Sequence, residues 1–377
     1  MPQSAPAAAA PADLPAAPVA APADAPPDLT FINDLAGPGI TRKRRGRFWQ
    51  YFHADGSRVT DRDEIDRLNA IGLPPAYERG WFCPDPNGHI QAIGYDAKGR
   101  RQYRYHPRFR ERQDAEKYAK LAAFGHALPK LRKRVAQDLE QKHVTRDSVV
   151  AAVVRLLDCE HIRVGNEQYA KENKSFGATT IRTRHVKQLG RKVRMKFKGK
   201  HGIERELTIT DRNLTRIVKK VQDLPGQHLF QYVDDSGTPC PVTSADVNAY
   251  IKQATGGDFT AKHFRTWGAS AIFFEQLCGH DEGEKIGLRT VLEPVADALG
   301  NTPAISRKSY VHPALIEAVK DNPRDPLNGL QCPREGKYLS RAERGLIMFL
   351  EHVANACEAA EAQTEMEQDE ATADAAA

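Results

Sequence analysis

A tyrosine that follows two basic residues is the first feature of this sequence that could do chemistry. Tyr310 comes shortly after Arg307 and Lys308, in a segment that opens with Thr302-Pro303, a helix N-cap followed by the proline favoured at the first helical position. The preceding helix is predicted to stop at Gly300, because glycine adopts the left-handed backbone of a C-cap without steric cost. A phenol near several fixed cations can attack a phosphodiester, so the other cations decide what this tyrosine can do.

Two arginines lie beside helices that must be buried. An apolar helix over 148–159, with Asp147 as its N-cap, leads into Arg163. Arg265 stands at the threshold of a second apolar helix, over 270–277. Arginines in such places are held firmly, although a structural salt bridge explains Arg163 at least as well.

A third cation, Lys200, lies between two glycines at the tip of a predicted hairpin. The strands over 192–198 and 203–209 alternate with period two, and a further strand is predicted over 178–186, which gives a small antiparallel sheet. The residues predicted to face inward are Val193, Met195 and Phe197. A lysine at a hairpin tip can reach into a ligand, but many such lysines have no role.

The charge of the chain favours a polyanionic partner. The formal net charge is +6, yet residues 1–30 and 358–377 carry ten carboxylates and no Lys or Arg, so the segment between them carries +16. A field of this sign attracts nucleic acid first. The alternative is a basic surface that is only solvated.

Composition also predicts the environment and the ends of the chain. Six cysteines are scattered without Cys-x-x-Cys pairs or zinc spacing, which predicts reduced thiols in a cytosolic protein and no metal site. No apolar run reaches the roughly 18 residues of a membrane span. The Ala/Pro-rich residues 1–28 lack the basic start of a secretory signal and are predicted to be disordered, as is the acidic tail 358–377.

Residues 29–111 are predicted to form a small domain of antiparallel strands. Its clearest hairpin joins 88–95 to 101–105. Along the second strand Tyr103 and Tyr105 share one face with Arg101, whereas Gln102 lies on the other. Aromatic side chains interleaved with arginines suit a surface that lies against a nucleic-acid groove. The alternative is that the two tyrosines pack beneath the sheet.

Residues 112–357 are predicted to form a larger, mainly helical domain around the small sheet. Basic residues recur from Arg110 to Arg134 among alanines and leucines, and an amphipathic helix over 342–353 closes the domain. The predicted fold class is therefore α+β, with a β-rich domain followed by an α-rich one.

Four short motifs, in this order, resemble the catalytic set of type IB DNA topoisomerases in their compact poxvirus-like and bacterial form. They are Ile-Arg-Val-Gly-Asn around Arg163, Phe-Lys-Gly-Lys ending at Lys200, Phe-Arg-Thr-Trp-Gly around Arg265, and Gly-Asn-Thr-Pro-Ala-Ile-Ser-Arg-Lys-Ser-Tyr ending at Tyr310. The stretches 83–92 and 99–105 add to the resemblance, which runs from about Leu29 to Val353. Each motif alone is modest, but four in family order are specific.

The resemblance implies a clamp of two domains around double-stranded DNA and activity without metal, ATP or other cofactor. Tyr310 would be the nucleophile, forming a 3′-phosphotyrosyl link. Arg163 and Arg265 would bind the non-bridging phosphate oxygens, and Lys200 would act as general acid. Further DNA contacts are implied for Gln102, Tyr103, Tyr105, Tyr169 and Lys262. A monomer in the cytoplasm, associated with the nucleoid, is expected.

Asn301 is a departure from many members of that family, which have histidine there. An asparagine still donates a hydrogen bond to a phosphate oxygen, but without the charge that makes such bonds about twice as strong. Bacterial relatives resemble this chain in having asparagine, so Asn301 stays in the predicted site. His263 is a candidate for a compensating role.

Two other functions remain open at this level. A tyrosine recombinase or integrase shares the chemistry, but it commonly has His-x-x-Arg where this chain reads Lys262-His263-Phe264-Arg265, so the histidine is out of register. Recombinases also usually have a helical amino-terminal arm, whereas strands are predicted here. A non-catalytic DNA-binding clamp is the third possibility.

Overall fold

A computed structural model describes residues 28–32, 37–280, 283–330 and 332–375. The chain divides into two compact units, one ending at Glu116 and the other beginning at Lys117. The sequence had placed the division five residues earlier, after residue 111. The structure's division falls inside a helix, where composition gives no boundary signal. The α+β fold class is confirmed.

The first unit is built on a five-stranded antiparallel sheet in the order β2-β1-β3-β4-β5. Its core includes Ile40, Tyr51, Leu68 and Phe82. The predicted hairpin of β4 and β5 is confirmed, with Ile93 opposite Tyr103. The elements are β1 Ile40–Arg45, β2 Phe48–Phe52, α1 Arg62–Ala70, β3 Glu78–Phe82, β4 Ile90–Tyr95, β5 Arg101–Tyr105 and α2 Pro107–Ala119, which continues into the second unit.

The second unit packs helices around one large core, with a three-stranded sheet at its side. Its elements are α3 Leu121–Glu140, α4 Arg146–Glu160, α5 Glu167–Asn173, β6 Val186–Leu189, β7 Lys192–Lys198, β8 Glu204–Ile209, α6 Arg212–Gln222, β9 Gln231–Val233, β10 Pro239–Pro241, α7 Ser244–Thr255, α8 Ala261–Cys278, α9 Leu288–Leu299, α10 Pro303–Ser309, α11 Pro313–Asp321 and α12 Arg341–Ala375.

Helix α4 is the buried helix that the sequence predicted, but its cap is different. Thr145, not Asp147, is the N-cap: its hydroxyl accepts from Ser148 N at 3.2 Å, and Ser148 Oγ accepts from Thr145 N at 2.9 Å. Asp147 instead pairs with Arg134 at 3.2 Å. The two bonds of this reciprocal cap fix where the helix starts.

The small sheet is confirmed for two of the three predicted strands. Val193, Met195 and Phe197 of β7 face the core as expected. The third prediction, 178–186, is wrong for most of its length, because Ala178–Thr180 and Thr183–His185 are 3₁₀ turns and a strand begins only at Val186. The N–H groups of Ala178 and Thr179 donate to carbonyls outside the sheet, so no strand pairing is left for them.

A largely buried arginine joins four helices of the second unit. Arg132 of α3 forms ion pairs with Asp158 of α4 at 2.8 Å and with Glu343 of α12 at 2.7 Å. Glu343 also accepts from Trp267 Nε1 of α8 at 2.9 Å. We call Arg132, Asp158, Glu343 and Trp267 the charge cluster. Since each charge has a partner, four helices are held by one set of satisfied polar groups.

Two expectations about cysteines and the tail are corrected. Cys278 and Cys332 form a disulfide, with Cα atoms 6.3 Å apart, whereas the sequence predicted six reduced thiols. Their separation of 54 residues carries no local signal. Helix α12 continues to Ala375 through the stretch predicted to be disordered, because that stretch is rich in strong helix formers such as Ala, Glu and Gln. The predicted disorder of residues 1–27 lies outside the described residues.

None of the helices in the described part of the chain combines the length and the apolar character needed to cross a bilayer.

Candidate active site

Tyr310 is placed by the junction of two helices, as the sequence predicted. Helix α9 ends at Gly300, which has φ of 61° and ψ of 50°, and Thr302 caps α10 by accepting from Ile305 N at 3.3 Å. Tyr310 follows α10, and the next residue, Val311, is fully buried. The phenol is therefore carried on a short helix whose two ends are fixed.

Arg163 lies on a segment that is held by backbone hydrogen bonds. Helix α4 ends at His161, whose left-handed backbone turns the chain. The carbonyls of Arg163 and Val164 then accept from Ala178 N at 2.8 Å and Thr179 N at 2.7 Å. From this anchored backbone Arg163 Nη2 reaches Tyr310 Oη, at 3.5 Å.

Arg265 is the most buried cation of the site, with only 5% of its surface exposed. Its guanidinium donates to the carbonyls of His161 and Leu299, and its Cζ lies 4.7 Å from the centre of the Tyr310 ring. The sequence placed Arg265 at the threshold of a helix. The structure places it inside α8, which begins at Ala261. The sequence missed this earlier start because polar residues in the first turns of α8 interrupt its apolar pattern.

The pKa values of Arg265 and Tyr310 are both lowered. Burial lowers the pKa of Arg265 to about 10, although Tyr310 favours its charged form. Burial acts to raise the pKa of Tyr310, but the guanidiniums of Arg265 and Arg163 outweigh burial, and the pKa of Tyr310 is lowered. The site thus favours phenolate more than water does, and Arg265 remains a cation at neutral pH.

Lys200 is exposed at the tip of the β7–β8 hairpin, as predicted, within the 3₁₀ turn Lys200–Gly202. The tip is closed by bonds from Gly199 N to Ile203 O, 2.8 Å, and from Gly202 N to Gly199 O, 3.0 Å. Its side chain lines the same cleft as Tyr310 and the two arginines.

Asn301 contacts Arg265. In the amide orientation that satisfies both of its ends, Asn301 Oδ1 accepts from Arg265 Nη2 at 3.1 Å, and Nδ2 donates to Gly300 O at 3.2 Å. His263, the candidate for compensation, is used elsewhere: its Nδ1 accepts from Thr260 N at 3.0 Å, at the start of α8. Burial lowers the pKa of His263, which favours the neutral ring.

The cleft around these side chains has a volume of about 520 Å³. Of the predicted DNA contacts in this unit, Tyr169 and Lys262 both line it. The sequence missed Lys117, which also lines the cleft and donates to Ser309 O at 3.2 Å. It lies 192 residues from Ser309, and a run of basic residues offers no signal that would single it out.

The other three predicted DNA contacts belong to the first unit, on β5 at one edge of its sheet. Tyr103 and Tyr105 share a face, with stacked rings 5.9 Å apart, and Tyr105 is 39% exposed. Gln102 Nε2 donates to Asp96 Oδ2 at 3.1 Å. The two tyrosines thus form a partly exposed aromatic surface and are not a buried pair.

Two family models match the chain. Residues 106–325, more than half of it, match the catalytic core of eukaryotic DNA topoisomerase I, and residues 48–96 match the N-terminal domain of bacterial DNA topoisomerase IB. The chain therefore belongs to the type IB DNA topoisomerases, isomerases that relax DNA supercoils, and the resemblance stated from its motifs is confirmed.

Viral enzymes are among its relatives. DNA topoisomerase 1B of Acanthamoeba polyphaga mimivirus is 33% identical over 297 residues, which cover 76% of this chain and 88% of the relative. DNA topoisomerase 1B of vaccinia virus (strain Copenhagen) is 22% identical over 295 residues, 72% and 90% of the two chains. Among solved structures, the XerH site-specific recombinase bound to palindromic difH substrate is 16% identical over 50% of each chain, with a TM-score of 0.34.

Proposed function

We propose that this protein relaxes supercoiled double-stranded DNA by cutting and resealing one strand at a time, without ATP or a metal ion. The observation that carries the proposal is the position of Tyr310 between two guanidiniums, with Arg163 Nη2 3.5 Å from its Oη and Arg265 4.7 Å from its ring centre. The same cations that favour the phenolate can bind the phosphate that it attacks.

In the cleavage step Tyr310 Oη forms a bond to phosphorus while the bond from phosphorus to the 5′ oxygen breaks. The phenolic proton passes to solvent, and Lys200 Nζ gives a proton to the departing 5′ oxygen. Arg163 and Arg265 bind the non-bridging oxygens, where negative charge increases in the transition state. Asn301 supports Arg265 through the bond to its Nη2. The product is a 3′-phosphotyrosyl link that keeps the energy of the broken bond.

Strand rotation follows because only one strand is held covalently. The free 5′ hydroxyl then attacks the phosphotyrosyl link, Lys200 takes the proton back, and the strand is resealed. A monomer suffices for this cycle, since Arg163, Lys200, Arg265 and Tyr310 all come from one chain. We also propose that the two units close around the duplex as a clamp, with Gln102, Tyr103 and Tyr105 on the DNA. The protein would act in the cytoplasm, at the nucleoid.

The proposal is tested with supercoiled plasmid in EDTA without ATP. The wild-type protein should give a ladder of relaxed topoisomers, and Tyr310→Phe should bind the plasmid but leave its linking number unchanged, because the nucleophile is gone. Tyr338→Phe removes a phenol oxygen outside the cleft and should relax plasmid normally. A wild-type protein that binds plasmid without changing its linking number would be a non-catalytic binder, and recombinant products at unchanged topology would indicate a recombinase.

A further inference from the structure

Arg205 lies at the base of the hairpin that carries Lys200. It is the second residue of β8 and pairs with Phe197 of β7. Between these two residues the hairpin tip is closed by its own hydrogen bonds, through Gly199 and Ile203. Because these bonds hold the tip together, the position of Arg205 determines the position of the short loop that carries Lys200.

The guanidinium of Arg205 leaves the hairpin and binds the end of another element. Nη1 donates to Asp297 O at 3.2 Å and Nη2 to Ala298 O at 2.7 Å, both in the last turn of α9. These carbonyls are at the negative end of the helix, where a cation is favoured. Gly300 follows directly, and a Cβ there would clash with this guanidinium.

This contact differs from an ordinary helix cap in where its cation comes from. Helices often receive such a cation from their own last turn, but α9 has no basic residue there, and the cation comes from 92 residues away. Arg205 is half-buried, and Glu160 at the end of α4 is close enough to act on its charge. Burial lowers its pKa, Glu160 opposes that change and Arg163 adds to it. Arg205 also lines a narrow space of about 20 Å³ together with Arg163, Lys200 and Arg265.

We propose that Arg205 is a positioning residue for the protonation of the leaving group. By binding the end of α9, it holds the Lys200 hairpin in a fixed relation to the junction that carries Asn301 and Tyr310. The inference rests on the proposed function, in which Lys200 protonates the 5′ oxygen. Arg205 itself touches neither the phenol nor, in this scheme, the phosphate.

The test compares two leaving groups. After the cleavage site has been mapped by trapping the covalent complex, single-turnover cleavage is measured on a duplex with the natural 5′ oxygen and on one with bridging sulfur at that position. A thiol has a pKa of about 8.5, so sulfur leaves as thiolate and needs no general acid. Arg205→Ala should cleave the oxygen substrate on the order of 10- to 100-fold more slowly than wild type, less than the ~10²–10⁴ that a general acid contributes.

On the sulfur substrate Arg205→Ala should cleave close to the wild-type rate, as Lys200→Ala should. The double variant should be no slower than Lys200→Ala on the oxygen substrate, because both changes affect one step. Arg205→Lys keeps the charge but not the planar guanidinium that binds two carbonyls at once, and it should recover part of the rate. Arg194→Ala, which removes an arginine of β7 that pairs with Glu206 on the same sheet, serves as control and should match wild type on both substrates.

A loss in Arg205→Ala that is equal on both substrates, or that adds to the loss in Lys200→Ala, would overturn the inference and leave Arg205 as a structural cap of α9. Failure of the proposed function is distinguishable, since the wild type would then form no covalent complex with either substrate. A Lys200→Ala defect that sulfur does not restore would show that Lys200 is not the general acid and would also overturn the inference. Thermal unfolding of each variant identifies any that fail to fold.

Discussion

Arg265 occupies an unusual position for an arginine, because its guanidinium is almost fully removed from solvent and still has no carboxylate partner within the described residues. Its partners are two backbone carbonyls, the Asn301 amide and the Tyr310 ring. Neutral acceptors bind its terminal nitrogens without neutralising the charge, so the full charge remains available to the phenol and to a phosphate.

We predict that Arg265→Ala raises the pH needed for cleavage. Burial acts to raise the pKa of Tyr310, and Arg265 is the stronger of the two cations that offset it, so removal of Arg265 moves the pKa of Tyr310 upward. The rate should rise as the pH passes the pKa of Tyr310. In the wild type this pKa lies below the ordinary value of about 10, and in the variant it should be higher than in the wild type. At neutral pH the rate should fall by about 10²–10³.

The measurement is the single-turnover rate of covalent complex formation from about pH 6 to about pH 10, a range that reaches the ordinary pKa of a phenol. Arg265→Lys is the control: a retained positive charge should keep the profile near its wild-type position, while loss of the two-pronged geometry still lowers the rate. Identical pH profiles for Arg265→Ala and wild type would show that Arg265 does not tune the phenol.

At the scale of elements, helix α11 begins with a titratable cap, His312, two residues after the nucleophile. His312 Nδ1 accepts from Ala314 N at 3.2 Å, which requires the neutral ring, and the Tyr118 ring lies 5.1 Å away. Burial, with a smaller contribution from Lys117, lowers the pKa of His312 to about 4.

We predict that this cap makes the folded state less stable as the pH falls. The pKa of histidine is about 6.5 in the unfolded chain, and that of His312 is about 4 in the folded protein. Between these two pH values the unfolded chain binds a proton that the folded protein does not. The contribution to stability is therefore complete above about pH 6.5 and is lost as the pH falls toward 4.

His312→Asn keeps a capping side chain but cannot titrate, so its stability should fall less over that interval. Denaturant unfolding at a series of pH values checks this, with His143→Asn, a change at an exposed histidine, as control. Parallel losses of stability in wild type and His312→Asn would exclude His312 as the cause.

The elements differ in how far the sequence could predict them. The end of α9 at Gly300 and the start of α10 at Thr302 were predicted because caps are local signals. The alternation of β7 is equally local, since each inward side chain faces the same core. By contrast, residues 178–180 alternate like a strand but turn, because the carbonyls of Arg163 and Val164 take their N–H groups.

The site, too, could be predicted only where the signal is local in the sequence. Arg163, Lys200, Arg265 and Tyr310 were found because family motifs surround them, and the structure brings all four to one cleft. Lys117 and Arg205 were missed, since each reaches its partner across more than 90 residues and nothing in the neighbouring sequence records that contact. The contact of Asn301 with Arg265 also depends on the approach of α8 to α9 and could not be read locally.

For the whole molecule, the disulfide closes the segment that holds the nucleophile. Cys278 ends α8 and Cys332 lies ahead of α12, so residues 279–331, with α9, α10 and α11, form a covalent loop. A cross-link of this kind restricts the unfolded chain more than the folded one, and is typically worth about 2–4 kcal/mol.

We predict that Cys278→Ser lowers the free energy of unfolding by about that amount, 2–4 kcal/mol. Denaturant unfolding with and without a reductant checks this. The reductant should lower the stability of the wild type but not that of Cys278→Ser, and Cys357→Ser, a change at an exposed free cysteine, should behave as wild type. If the reductant has no effect on the oxidised wild type, the disulfide does not contribute to stability.

The charge cluster also limits how this chain can diverge. Asp158 lies on α4, five residues before Arg163, and Trp267 lies on α8, two residues after Arg265, so the helices that position both arginines of the cleft also carry members of the cluster. Replacement of Arg132 alone leaves two carboxylates in the interior without their cation, at a cost of about 3–5 kcal/mol, whereas joint replacement of all three charges by apolar residues is close to neutral. Descendants of this protein can therefore exchange Arg132 only together with Asp158 and Glu343, as one inherited unit.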